Sequence, residues 1–306
     1  MALRAGLPSS NLLYLKRKGI FNNDALYFYT LGDFLIRNFT GEEILIHPTN
    51  AAGTGLVDVL NMSWESELIK LCAPENVIFP KIGTEKNTID KFGCRFHVFP
   101  ALGDQQAALL GAGVDKIGDI SFNLGTGAQV SVISINPEYD ENYQVRPYFN
   151  GLYLKTVPHI PSGRALNVYY RFISSIFSKF DLHISDDEIW KKFVECGNSS
   201  GKIKTDLSFF ENAITNHTTG SISNIGEFEF TFDNLMYSIQ DQMAENCIQA
   251  AKRITNINEI KHVFFSGGVS KKFNLIRKLI MKYFSDSDCF IAENETLIGL
   301  YKYGNI

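Results

Sequence analysis

The chain has 306 residues, 45% hydrophobic and 20% charged, the proportions of a globular protein long enough to bury one large or two ordinary cores. Its formal net charge is −4 with both signs mixed along the sequence, which excludes the basic stripe that a nucleic acid or an anionic membrane needs, so a small anionic ligand must be held locally. No stretch reaches the ~18 apolar residues of a membrane span, and the five cysteines are scattered without a C-x-x-C pair, so a compact cytoplasmic protein with reduced thiols is expected.

In chain order, "DALYFYTLGDFLIRNF" at 24–39 spaces Leu26, Leu31, Phe34 and Leu35 along one face of an amphipathic helix closed by Gly41, and core packing is the expected use of that face. A glycine-rich loop leads into a helix over about 64–73, with Pro74 and Pro80 marking turns. "GDQQAALLGAG" starts a helix at 104 that ends at 113. From 119 the period drops to two: Ile120, Phe122 and Leu124, then Val130 and Val132, alternate around a glycine-bearing bend, a hairpin signature. A domain boundary falls at about 114–118. A helix is expected over 163–177, an irregular insertion over 197–226, and a long helix from 232 whose inner face runs from Phe232 and Leu235 through Met243 and Cys247 to Ile254. The strand "HVFF", two glycines, a helix over "KKFNLIRKLIMKYF", the strand "CFIA" and a short last helix make an α/β ending.

Three stretches carry candidate chemistry, and each has a plain structural alternative. In "NLGTGAQ" the bend Gly125, Thr126, Gly127 lets backbone N–H groups and a hydroxyl approach an anion, or is simply a tight turn. In "HVFFSGGVSKKFN" a strand ends at Gly267 and Gly268 and enters a helix, a place that favours nucleotides or an ordinary strand-to-helix connection. Asp104 in "GDQQAALLGAG" is either the N-cap of its helix or a general base that takes the proton of a hydroxyl attacking a γ-phosphoryl group, with Gln105 hydrogen-bonding neighbouring hydroxyls. G-x-G-x-x-G, a P-loop, an H-x-x-x-H pair and a G-x-S-x-G elbow are all absent, so Rossmann, P-loop, zinc and serine-hydrolase chemistry have no local support and no metal ligand is assigned.

The order of a "GDQQAALLG" helix, a "GTG" hairpin, a "SGRALN" helix start and a strand followed by "SGG" resembles the FGGY family of carbohydrate kinases over nearly the whole chain, from "GLPSSNLLYLKRKG" to "ETLIGLYKYG". "ALGDQQAALLGAG", "PSGRALN" and "FFENAITNHTTGSISNI" are most similar to its sedoheptulokinase-like branch. The resemblance implies an α/β, actin-like (ribonuclease-H-like) ATPase fold of two lobes with ATP and sugar in the cleft between them. It implies Asp104 as catalytic base and substrate contact, Gln105 as a sugar contact, and Gly125, Thr126 and Gly127 at the ATP phosphates. Gly163, Asn167 and Gly267 would line the nucleotide pocket and Gly268 would lie against the adenine, with Lys272 or Asn274 beside it, since "VSKKFN" is one residue short of the family spacing.

The family's opening Asp-x-Gly-Thr hairpin, which handles phosphate and Mg²⁺, has no counterpart here. Residues 1–114 are therefore expected to be the remnant of a first, sugar-binding domain with uncovered apolar surface, and 115–306 the second, nucleotide-binding domain. The expected activity is transfer of the γ-phosphoryl of ATP, with Mg²⁺, to a hydroxyl of a ketose such as sedoheptulose or of a polyol. An inactive relative that binds nucleotide or a partner chain, and an unrelated α/β protein, are the alternatives; oligomeric state is left open.

Overall fold

The computed structural model describes residues 6–21, 24–195 and 202–305. Its first part is built from short elements: α1 (Pro8–Lys18), β1 (Leu26–Tyr27), α2 (Leu31–Thr40), α3 (Pro48–Ala52), β2 (Val57–Asp58), β3 (Ser63–Trp64), α4 (Ser66–Cys72), β4 (Val77–Ile78), β5 (Asn87–Lys91), β6 (Cys94–Val98) and α5 (Asp104–Ala112). The rest comprises β7 (Asp119–Leu124), β8 (Gly127–Ser134), β9 (Gln144–Pro147), β10 (Tyr153–Pro161), α6 (Gly163–Lys179), α7 (Asp186–Val194), β11 (Lys204–Asp206), β12 (Ser221–Ser223), α8 (Phe232–Ile254), β13 (His262–Ser266), α9 (Gly268–Lys272), α10 (Asn274–Met281), β14 (Asp288–Ile291) and α11 (Glu295–Gly304).

One six-stranded sheet organises the molecule, in the order β14, β13, β7, β8, β10, β9. The hairpin read at 119–134 is present, with Phe122 opposite Val130, and β10 and β9 continue it antiparallel. β13 joins the other side of β7 in parallel, and β14 follows it, each reached through helices, as parallel connections require. Alternation along the strands sends Ile120, Phe122, Leu124, Val130, Val132, Val263 and Phe265 to one face, where α8 and α10 cover them. On α8, Leu235, Met236, Ile239, Met243, Cys247, Ala250 and Ile254 are buried as the helical spacing predicts, while Phe232 at its start is not. Truncating any of the large ones leaves a cavity that costs about 2–5 kcal/mol.

Four expectations change. The helix expected over 24–39 begins only at Leu31, because Thr30 caps it: the Thr30 hydroxyl accepts the Asp33 N–H at 3.3 Å and donates to the Asp33 carboxylate at 2.6 Å. Leu26 instead pairs with Val77 in a parallel strand. The face expected to pack is exposed, with Leu31 76%, Phe34 50% and Leu35 59% accessible, while Asp33 is buried and its carboxylate holds Asn50 and the Ala101 N–H. The helix expected over "KKFNLIRKLIMKYF" is two helices broken at Phe273 (φ −97°, ψ 81°). The segment read as an irregular insertion lies partly outside the described residues, with Cys196. Beyond that gap Ile203, Thr205 and Leu207 are buried, beside a short β11–β12 pair. Among the described residues no helix is long and apolar enough to cross a membrane.

Candidate active site

The sheet face turned toward α5 changes character along the strands. At one end Ile133, Leu154 and Phe264 meet Leu109, Leu110 and Val114 in an apolar cluster. Toward the β7–β8 turn the same alternate positions become polar. The register sets Ser121 opposite Ser131 and Ser131 opposite Thr156 in one cross-strand row, and Ser266, Asn123 and Gln129 in the next. Ser121, Ser131, Thr156 and Ser266 are all buried, where apolar side chains would serve a core without the cost of desolvating hydroxyls. A polar floor in the middle of a covered sheet marks a site.

A cleft of about 380 Å³ opens over that floor. Asp104 and Gln105 of α5 line it together with Ser121, Asn123, Gln129, Ser131 and Ser266, and Arg146 of β9 and Thr296 of α11 complete its polar lining. A larger and more apolar hollow between α6 and α7, around Ile173, Phe177 and Phe232, holds none of the predicted site residues.

Asp104 does not cap its helix. Gly103 occupies the N-cap position (φ −64°, ψ 133°), and Asp104 stands one place further on, exposed, its Oδ1 accepting the neighbouring Gln105 N–H at 2.7 Å. The first turn of α5 is gripped from three directions. The Gly103 N–H donates to Thr49 Oγ1 at 3.0 Å, and the Gln106 amide donates to the Pro147 carbonyl at 3.1 Å. The Gln105 amide donates to Ser131 and Thr156, each at 3.2 Å, and its oxygen accepts from Arg146. A side chain at Gly103 would lie 2.9 Å from the Thr49 carbonyl oxygen, so the close approach needs glycine.

Thr49 is itself held by His47, whose Nδ1 accepts the Thr49 N–H at 3.2 Å and meets its hydroxyl at 2.7 Å at the start of α3. Burial pushes the His47 ring down to about 4, because no charge compensates its desolvation. The unfolded chain therefore binds a proton below about pH 6.5 that the folded chain refuses until about pH 4. The stability His47 contributes is complete above pH 6.5 and is lost as pH falls through that window, by about 3 kcal/mol in all. Urea titrations of the wild type and His47→Gln between pH 7 and 4 are expected to show a steeper acid loss in the wild type; parallel curves would refute this.

The predicted glycine positions converge at the ends of β7 and β13. Gly163 N–H donates to the Gly125 carbonyl at 3.1 Å and Arg164 N–H to the Thr126 carbonyl at 2.7 Å, so the start of α6 rests on the Gly125–Gly127 turn. Gly267 has φ +86°, and a Cβ there would lie 2.5 Å from the Leu124 carbonyl oxygen and 2.7 Å from Asn123 Oδ1. Asn123 and Ser266, which adjoin these glycines in the chain, line the cleft, while Gly125, Thr126, Gly127, Gly163, Gly267 and Gly268 are not themselves among its lining residues. Asn167, Lys272 and Asn274 are exposed and outside the cleft lining, and Asn274 Oδ1 accepts from Arg277 at 3.1 Å. Sequence reasoning missed Arg146, Ser131, Thr156 and Gln129. The usable signal was "GAQVSVIS", where Gln129 and Ser131 alternate with buried valines in a strand flanked by others on both sides.

No family model matches the chain. A 163-residue stretch, 51% of the chain, is 27% identical to 30% of a glycerol kinase from Enterococcus faecalis. Among solved structures, a gluconate kinase from Lactobacillus acidophilus superposes with a TM-score of 0.77 at 17% identity, covering 98% of this chain and 63% of that one. A Plasmodium falciparum glycerol kinase with ADP superposes at 0.70 and 14% identity, covering 96% and 61%. The chain thus spans less than two thirds of the length of these relatives. The fold is the actin-like ATPase fold of these kinases.

Proposed function

We propose that the cleft is the acceptor and phosphoryl-transfer site of an ATP-dependent carbohydrate kinase. One observation carries the reading: Asp104 faces a polar cleft whose floor, through Asn123 and Ser266, ends at the Gly125–Gly127 turn and Gly267. The turn fits a phosphate. A Cβ at Gly125 or Gly127 would meet its nearest neighbour only in ordinary contact, at 3.7 or 3.9 Å, and one at Gly268 would meet nothing within 4 Å, so open space lies beside Gly268. In the proposed reaction an acceptor hydroxyl gives its proton to the Asp104 carboxylate as its oxygen bonds to the γ-phosphorus. The bond from that phosphorus to the β–γ bridging oxygen breaks, and ADP leaves with the electron pair. Mg²⁺ carried on the nucleotide phosphates would neutralise charge that develops there. We assign Gly125, Thr126 and Gly127 to the phosphates, Gly163, Asn167, Gly267 and Gly268 to the nucleotide, and Lys272 or Asn274 to its base. Residues 1–114 are read as the acceptor-side domain and 115–306 as the nucleotide-side domain.

ADP-release assays over a panel of ketoses, polyols and sugar acids test the proposal, and the likeness to the sedoheptulokinase-like branch puts sedoheptulose in that panel. Turnover with any member supports it; stabilisation by ATP with no turnover anywhere would point to an inactive relative. Saturating ADP is expected to raise Tm by several degrees, as about 2.7 kcal/mol of linkage at a hundredfold excess over Kd implies. Gly268→Val, which fills the open space with a side chain, is expected to remove that rise while leaving the ligand-free Tm within a few degrees. An unchanged response to ADP would detach Gly268 from the nucleotide.

A further inference from the structure

We propose that Asp33 is a positioning residue for the transfer: its buried carboxylate suspends the chain just before α5 and so fixes where Asp104 stands in the cleft. This rests on the kinase reading of the cleft and adds to it a residue that lies outside the lining. α2 is packed against its composition. It buries Asp33 completely while Leu31, Phe34 and Leu35 of the same helix face outward. A leucine in the inward place would serve a core without loss, whereas a carboxylate there gives up its water and must find hydrogen bonds. Capping of α2 does not account for it. In a capping box the side chain at the third helical position turns back to the N–H of the cap residue. Asp33 instead accepts the Thr30 hydroxyl and the Asn50 amide on Oδ2, at 2.6 and 3.2 Å, and gives Oδ1 to the Ala101 N–H at 3.1 Å, 68 residues further on.

The segment it holds, residues 99–103, lies in neither helix nor strand. Asp33 takes the Ala101 N–H and Thr49 Oγ1 takes the Gly103 N–H at 3.0 Å, so two alternate amides hang on side chains from α2 and α3. Asn50, the neighbour of Thr49, donates both to Thr30 Oγ1 at 2.9 Å and to Asp33, which ties the two supports together. The fit is close: a Cβ at Gly32 would lie 2.7 Å from Ala101 Cβ. Gln105 and Gln106 hold the inner side of the first turn of α5, so freeing Ala101 loosens the entry to the helix rather than the fold. Asp104 stands at that entry, directly after Gly103. A misplacement of about 1 Å between a base and its reacting hydroxyl costs on the order of 10²-fold in rate.

Two measurements on the full chain test the proposal, one of them independent of turnover. Hydrogen exchange of peptides covering 99–105 is expected to be at least tenfold faster in Asp33→Ala than in the wild type, with peptides of β7 and β8 unchanged. In ADP-release assays with the best acceptor, Asp33→Ala is expected to lower kcat tenfold or more while the acceptor KM changes less than threefold. Asp33→Asn keeps an oxygen for the Ala101 N–H, and Asn50 can turn its carboxamide to accept from the new amide, so both readouts are expected within threefold of the wild type. Met236→Ala, a truncation in α8 on the other face of the sheet, is the control for lost stability and is expected to keep its kcat well below its Tm. If Asp33→Ala does not fold, Gly32→Val, which leaves the carboxylate and crowds Ala101, gives the same two readouts. Exchange over 99–105 that is the same in Asp33→Ala and the wild type overturns the proposal. A kcat loss that Asp33→Asn shares in full, or that Met236→Ala reproduces, overturns it as well. Turnover that does not depend on Asp33 keeps the kinase and removes the positioning role. A wild type that releases no ADP from any acceptor ends the kinase reading, and the exchange rates then decide alone whether Asp33 holds the approach to Asp104.

Discussion

Asp104→Asn is expected to lower turnover about a thousandfold while changing folding stability by less than about 1 kcal/mol. Loss of a positioned general base costs on the order of 10²–10⁴ in rate. The fold should hardly notice, because Asp104 is exposed and the contact its side chain makes, Oδ1 with the Gln105 N–H, is one that the asparagine oxygen can also accept. Steady-state ADP release with the best acceptor of the panel reads the first quantity and urea unfolding the second. Retained turnover with a stability loss near 1 kcal/mol would make Asp104 a helix-start residue and nothing more. The expected split falls mainly on kcat, since the proton is taken in the transition state and not on binding.

The period of the sequence was enough to read the parts of the fold where one rule dominates. The 119–134 hairpin, the long helix α8 and the strand–helix ending all show their spacing because a single extended core sits on one side of each. The helix read at 24–39 failed where two rules competed. A strong cap at Thr30 and a parallel pairing of Leu26 with Val77 together outweighed helical spacing, and a buried Asp33 took the inward place that the leucines were expected to fill. For the cleft, Asp104 and the glycines were visible because each sits at a local break in pattern. Arg146 and Thr156 were not, because what draws them together is a cross-strand register and one glutamine on a distant helix, with sequence separations of 41 and 51 residues from Gln105. Asp33 shows the same limit. Burial pushes its carboxyl above the ordinary carboxylate value, while three hydrogen bonds pull the other way, and those partners come from Thr30, Asn50 and Ala101.

Gly299→Val is expected to destabilise the protein by about 3 kcal/mol or more and to disturb the cleft with it. α5 and α11 touch backbone to backbone. A Cβ at Gly299 would lie 1.8 Å from the Ala107 carbonyl oxygen, and one at Gly111 would lie 1.7 Å from the Glu295 carbonyl oxygen. Neither obstacle is the end of a flexible side chain, so a substitution must drive the two helices apart. That separation would strain the Lys302 bond to the Leu110 carbonyl, 3.0 Å, and the Tyr303 ring packed on His47, Phe99 and Phe149. It would also move Thr296 in the lining of the cleft, on the helix that braces the one carrying Asp104. Gly304→Ala, at the end of the same helix with nothing within 4 Å of the new methyl, is the control, and alanine's better helix propensity should leave it neutral or slightly stabilised. Urea midpoints that fall for Gly299→Val and Gly111→Val but hold for Gly304→Ala would show the contact to be a structural support of the Asp104 helix. A Gly299→Val protein as stable as the wild type would mean that α11 can leave α5 at little cost, and that the position of Asp104 is set by Thr49, Pro147 and the Gln105 network alone.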